Sequence, residues 1–163
     1  ATIDNGIVVD GVGRTSLPQV LAAGDVASMV LPTGPGGPER VRLESIQAAN
    51  DGARAAATAL VGRPQPCTAV PWFWSDQFDL KFQMAGLPLP GDDTVLRGDP
   101  DSDRFTLFQL RDGVVVASQS VNRPAEHMLS RKLIAAGTRI ASDVLQDASF
   151  DLKSLVSNHR TTE

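Results

Sequence analysis

Asp25 follows Gly24 directly at the end of the apolar run Val20-Leu21-Ala22-Ala23. A short run of this kind reads as a buried strand. The glycine lets the backbone turn, so the acid is expected to project from the carboxyl end of that strand, where open α/β sheets bind ligands. A carboxylate in that place can accept hydrogen bonds from hydroxyls, and it can equally cap a loop; the residues alone leave both roles open. A second candidate lies further along. Ile46, Ala49, Ala53, Ala56 and Leu60 recur three and four apart, which predicts a helix from Glu44 to Val61. Ser45 is its candidate amino-terminal cap, and Gly62 with Pro64 is its stop. The start of such a helix carries partial positive charge and unused N–H groups, which suit an anionic or electron-rich ligand. It is expected to face the same place as Asp25. The many alanines between Ala48 and Ala59 leave little bulk, so whatever packs there can approach closely.

Other chemically capable residues point nowhere in particular. The stretch "LPTGPGGP" at 31–38 is a loop whose prolines remove the backbone donors that a phosphate cradle needs. His127 falls among core-facing positions of a helix and His159 in a polar tail, neither with a nucleophile or carboxylate arranged beside it. The acidic run "DPDSD" at 99–103 lacks the glycine and distal glutamate of a calcium loop and reads as a solvated turn. The single cysteine, Cys67, excludes an internal disulfide and any multi-cysteine metal site within this chain. A net charge of −4 argues against a partner bound through phosphates. No apolar stretch approaches the length of a membrane span, so a soluble protein is expected, and a cytoplasmic location fits.

Two modules carry these residues. In the first, Asn5-Gly6 leads into a strand at Ile7 to Asp10, and the run ending at Ala23 is the next strand. Residues 62–71, with Gly62, Pro64, Pro66 and Pro71, have the composition of a linker. The second module is antiparallel. Leu80, Phe82 and Met84 alternate with Lys81 and Gln83; Thr94 to Arg97 is a further strand. Phe105 to Leu110 and Val114 to Val121 flank Asp112-Gly113, a hairpin signal. Asn122-Arg123-Pro124 opens a helix running to Ala136, with Ala125, Met128, Leu129, Leu133 and Ala136 expected on its buried face. Short helical turns are expected at 142–146 and 151–156.

The stretch "PWFWSDQFDLKFQMAGL" (Pro71 to Leu87), with "RTSLPQVLAAGDVA", "RVRLESIQAANDGARAAA", "RGDP" and "VNRPAEHMLSRKLIAAG", closely resembles the FAD-dependent ferredoxin and rubredoxin reductases of oxygenase systems. These belong to the pyridine nucleotide-disulfide oxidoreductase superfamily, and the similarity runs in order over nearly the whole chain. No Gly-x-Gly-x-x-Gly dinucleotide turn is present, and the chain begins without a methionine, so it looks like the terminal fragment of a reductase. The resemblance implies a fold of α/β and α+β parts. Residues 1–66 would be the last segment of a FAD-binding α/β domain, and 67–163 a reductase carboxyl-terminal domain with an antiparallel sheet and helices. It further implies FAD as cofactor and NAD(P)H as substrate of the complete enzyme. A ferredoxin or rubredoxin would be the partner, and the isolated fragment would be inactive.

The resemblance also assigns residues. Asp25 matches the carboxylate that bonds the ribityl hydroxyls of FAD, and Val26 follows it along the pyrophosphate and ribityl path. Glu44, Ser45 and Ile46 match the helix start beside the pyrimidine edge of the flavin, and Trp74 matches a ring packed near the flavin. No catalytic side chain and no metal is implied. Trp72 and Trp74 could both instead be inter-domain core, the role preferred for Trp72. Arg40, Arg42 and Arg54 could meet an acidic ferredoxin or simply line a solvated helix face. A stand-alone binding or dimerisation module derived from the same domain, and a relative that passes electrons to oxygen or quinones, are the alternatives.

Overall fold

The computed structural model describes residues 1–31 and 39–157, in two compact units, Ala1–Pro71 and Trp72–Glu163. His159 and residues 32–38 of the proline-rich loop lie outside the described residues.

The first unit holds a three-stranded sheet in the order β1 (Ile7–Val8), β2 (Ala27–Leu31), β3 (Glu39–Arg42), followed by helix α1 (Ile46–Leu60). Strands β1 and β2 are parallel, β2 and β3 antiparallel. The expected strand at Val20 to Ala23 does not form. Leu21 makes only an isolated bridge to Arg14, and Val20 is exposed. A loop takes this segment instead: the Thr15 N–H and hydroxyl both donate to the Val20 carbonyl, and Gly13 and Gly24 on either side adopt φ of +81° and +73°. A four-residue apolar run is too short to choose its own conformation. The strand that pairs with β1 is the following segment, in which Ala27 and Ser28 are buried.

Helix α1 has its expected cap, the Ser45 hydroxyl accepting from the Ala48 N–H at 3.1 Å. Its buried face is rotated from the expected one. Ala48, Gly52 and Ala55 are buried, whereas Ile46 and Leu60 are exposed. The reason is close approach. A Cβ on Gly52 would lie 3.5 Å from that of Ala23, and one on Gly24 would lie 3.5 Å from that of Ala49. Only the smallest side chains fit there. The stretch at 62–71 is tied down rather than loose, with the Cys67 N–H donating to the Gly11 carbonyl and the Gln65 N–H to the Thr58 hydroxyl.

The second unit is an antiparallel five-stranded sheet in the order β4 (Trp72–Gln77), β5 (Leu80–Gly86), β8 (Val114–Val121), β7 (Arg104–Arg111), β6 (Asp93–Asp99), with α2 (Pro124–Ala135), α3 (Ser142–Gln146) and α4 (Lys153–Ser157). Asp112 and Gly113 turn the β7–β8 hairpin with φ of 51° and 77°, as Asp-Gly between two strands requires. In the acidic run, the Asp99 carboxylate caps its own turn by accepting from the Asp101 N–H. The core joins Val95, Phe108, Leu110 and Val115 of the sheet to Ile140, Leu145 and Leu152.

The buried face of α2 is the expected one only in part: Leu133 and His127 are buried and Leu129 packs against the core, but Glu126 and Ser130 are buried as well, while Ala125, Met128 and Ala136 are exposed. The sheet explains the exchange. One row crosses all five strands as Trp74, Gln83, Ser120, Thr106 and Arg97. A helix laid on these polar residues has to answer them. Glu126 accepts from Thr106 Oγ1 at 2.8 Å, from Arg97 Nε at 3.0 Å and from Arg123. The other Arg97 donors go to the carbonyls of Leu145, Asp147, Ala148 and Phe150. Burial opposes ionisation of Glu126, but the hydrogen bonds from Arg123, Thr106 and Arg97 outweigh it and hold the carboxyl below its ordinary pKa. Stability from this group is therefore present above its ordinary value of 4.5 and lost as the pH falls through the lowered one. Replacing one partner strands the others in a dry site. Arg97→Met is expected to destabilise the second unit by about 3–5 kcal/mol, and Glu126→Gln less. Urea unfolding followed by fluorescence of Trp72 and Trp74, both in that unit, measures it; a loss under about 1 kcal/mol would show the network to be incidental.

Candidate functional site

In the first unit the residues singled out from the sequence meet at the entrance to β2 and the start of α1. Asp25 sits in a single 3-10 turn, Gly24–Val26, that leads into β2. It therefore precedes a strand and does not end one, contrary to expectation. Its side chain is exposed, as is that of Val26. Arg42, the last residue of β3, ties this turn to the helix start. Its Nη1 donates to the Asp25 carbonyl at 3.1 Å and pairs with Glu44 at 2.6 Å. Gly24 lies against Ala49 in the first turns of α1. Asp25, Val26, Glu44, Ser45 and Ile46 thus form one cluster, with Ile46 exposed at its edge.

The cluster offers an exposed carboxylate, the positive end of a helix and a backbone bared by glycine. Arg42 has a structural role that the sequence did not disclose. It was expected either to meet an acidic partner or to line a solvated helix face; it lies on β3, and its guanidinium bonds Asp25 and Glu44 within the unit. Arg40 is likewise engaged, donating to the Ser28 carbonyl at 2.8 Å, whereas Arg54 is largely exposed and pairs only with neighbouring Asp51.

In the second unit Trp74 lies on edge strand β4, partly exposed. Its ring stacks on that of Trp72 with centroids 5.3 Å apart and planes 27° from parallel. The Trp72 ring in turn meets His127 of α2 at 5.9 Å, and the Arg131 guanidinium lies over it at 4.6 Å. Trp74 and the cluster of the first unit belong to separate compact units. Among the described residues no group of three or more His, Cys, Asp or Glu could hold a metal ion, and no helix is long and apolar enough to cross a membrane.

Residues 72–156 match the family model described as Reductase C-terminal. The chain belongs to the reductase C-terminal family. Over 94% of its length it is 46% identical to the 5,5'-dehydrodivanillate O-demethylase ferredoxin reductase subunit of Sphingobium sp., and over 98% it is 41% identical to rhodocoxin reductase of Rhodococcus erythropolis. It covers 37% of each of these relatives, little more than a third. Among solved structures it is similar to the reductase of the covalent putidaredoxin reductase–putidaredoxin complex, with a TM-score of 0.87 and 33% identity over 98% of this chain and 38% of that one. It is also similar to a ferredoxin reductase from Rhodopseudomonas palustris, with a TM-score of 0.85 and 37% identity over 95% of this chain and 38% of that one. The antiparallel sheet with its helices is the reductase carboxyl-terminal fold that the Trp-x-Trp-Ser-Asp-Gln stretch suggested.

His127 has a measurable consequence. The side chain is buried with neither ring nitrogen bonded among the described residues, and burial, aided by the charge of Arg131, lowers its pKa from 6.5 to about 4. The unfolded chain takes up this proton near pH 6.5, the folded one only near 4, so folding weakens as the pH falls across that interval. The total is roughly 3 kcal/mol. His127→Leu is expected to flatten this part of the stability profile while leaving the loss due to Glu126, which lies below pH 4.5, in place. Urea midpoints measured between pH 7 and pH 4 at intervals of about half a unit check it; an unchanged slope in the variant would contradict the assignment.

Proposed function

We propose that this chain is the carboxyl-terminal part of a reductase that passes electrons from NAD(P)H through FAD to a ferredoxin or rubredoxin of an oxygenase system, and that it is inactive by itself. One observation carries the proposal: the ordered match over 94% of the chain to a ferredoxin reductase subunit of which it spans only 37%. No Gly-x-Gly-x-x-Gly turn occurs in the sequence, so the dinucleotide-binding units must be supplied from elsewhere. Residues 1–66 are then the end of the FAD-binding domain and 67–163 the reductase domain. The work is done in the cytoplasm.

The clustered residues fit such a cofactor. The exposed Asp25 carboxylate accepts hydrogen bonds from ribityl hydroxyls, with Val26 beside the same path. Glu44, Ser45 and Ile46 open α1, whose positive end stabilises negative charge gained on reduction at the pyrimidine edge. Trp74 packs near the ring system and keeps water from it. FAD, when bound, supplies acceptance of a hydride and release of single electrons. No side chain of this chain acts as a nucleophile. Arg54, exposed on α1 beside Asp51, and Arg40 and Arg42 are candidate cations for an acidic acceptor.

The isolated chain is expected to purify colourless and to leave NADH and NADPH unoxidised when FAD is added. Joined to the remaining portion of the reductase it should retain FAD and reduce a ferredoxin. In that complete enzyme Asp25→Ala is expected to weaken FAD retention about 10- to 100-fold, as loss of a charge-assisted hydrogen bond does. Ultrafiltration against free FAD measures this, and a variant that holds FAD as well as its parent would remove Asp25 from the site.

A further inference from the structure

Trp74 needs something to hold it. It sits on an edge strand, and the residue beside it in its row is Gln83, whose Oε1 is buried without a partner among the described residues. What meets it is Trp72, two residues earlier on the same face of β4, at 5.3 Å. Trp72 is held from α2: His127 and Arg131, four residues apart and therefore on one face of the helix, both reach its ring. A guanidinium over an indole is the most favourable cation–π pairing among side chains. The helix that delivers them is fastened to the sheet by Glu126, which bonds Thr106 and Arg97 in the row that ends at Trp74.

We propose that Arg131 and Trp72 are positioning residues that fix the orientation of the Trp74 ring, Arg131 by holding Trp72 and Trp72 by stacking. The significance for electron transfer rests on the proposed placement of Trp74 near the flavin; the stack itself does not. Arg131 touches neither cofactor nor acceptor in this scheme. Its influence passes through one aromatic ring to another. His127 contributes as a neutral wall, since a charge there would be set beside Arg131 in a dry site.

The two indoles are the only tryptophans in the chain, so their exciton-coupled circular dichroism reports their stacking directly. In the 163-residue chain as it stands, Arg131→Met keeps an unbranched, mostly apolar stem and removes the guanidinium. It is expected to shift the ratio of stacked to unstacked pairs by about threefold, as loss of an exposed cation–π contact does, and to diminish the couplet accordingly. Arg131→Lys should restore most of it, and Trp74→Phe, which abolishes the couplet, calibrates the signal. If Arg131→Met leaves the couplet unchanged, the proposal is overturned. If that variant fails to fold, Arg131→Lys and Arg131→Gln decide instead, and equal couplets in the two overturn it. A second arm separates the functional reading. In the complete reductase, a flavin fluorescence that does not respond to Trp74→Phe would refute the nearness of Trp74 to the flavin while leaving the stack in this chain intact.

Discussion

A guanidinium cannot lose its charge in a protein, so Arg97, buried to within 4% of its surface, imposes conditions on everything near it. Its donors are met by one carboxylate and four main-chain carbonyls, those of Leu145, Asp147, Ala148 and Phe150. The carboxylate comes from α2 and the carbonyls from the segment around α3 and before α4. One side chain of β6 therefore decides where the helices of the second unit sit. The core of Val95, Phe108, Leu145 and Leu152 supplies the hydrophobic drive but not this register, because apolar contact has no direction. Such a site is not chosen for stability, since desolvating both charges is costly; its effect is to exclude other arrangements of α2.

The consequence reaches the far edge of the sheet. The row that begins at Arg97 ends at Trp74, and the neighbouring row on the same face, Val95, Phe108, Ser118, Ala85, ends at Trp72. With Glu126 anchored on Thr106 and Arg97, His127 next to it and Arg131 one turn further along α2 reach the Trp72 ring. The aromatic stack on β4 is thus a product of the same interaction that seats the helix. A polar stripe where an apolar one is usual is the cost of this arrangement, and it appears in the buried Gln83, Ser118 and His127 atoms that find no partner among the described residues.

The first unit achieves proximity by the opposite means, through absence of side chains. Gly24, Ala49, Gly52 and Ala23 let α1 lie against the turn that carries Asp25, and Arg42 then bonds both that turn and Glu44. A carboxylate and a helix start are held together with no large residue between them.

Much of this was legible from residue types and spacing. Local signals are enough to place a helix capped by Ser45, a hairpin turned by Asp112-Gly113 and the helix opened by Pro124, because each depends on neighbours a few residues away. The Trp-x-Trp-Ser-Asp-Gln stretch and its companions were specific enough to name the family. Four matters were not decided locally. Val20 to Ala23 is a loop because Ala27 to Leu31 is the segment that pairs with β1; α1 buries Ala48, Gly52 and Ala55 instead of Ile46 and Leu60; α2 buries Glu126 and Ser130 beside Leu133; and Arg42 bonds Asp25 and Glu44 within its own unit. Each of these depends on what lies across a sheet or against a helix, and a hydrophobic pattern records how much surface must be buried without recording against what.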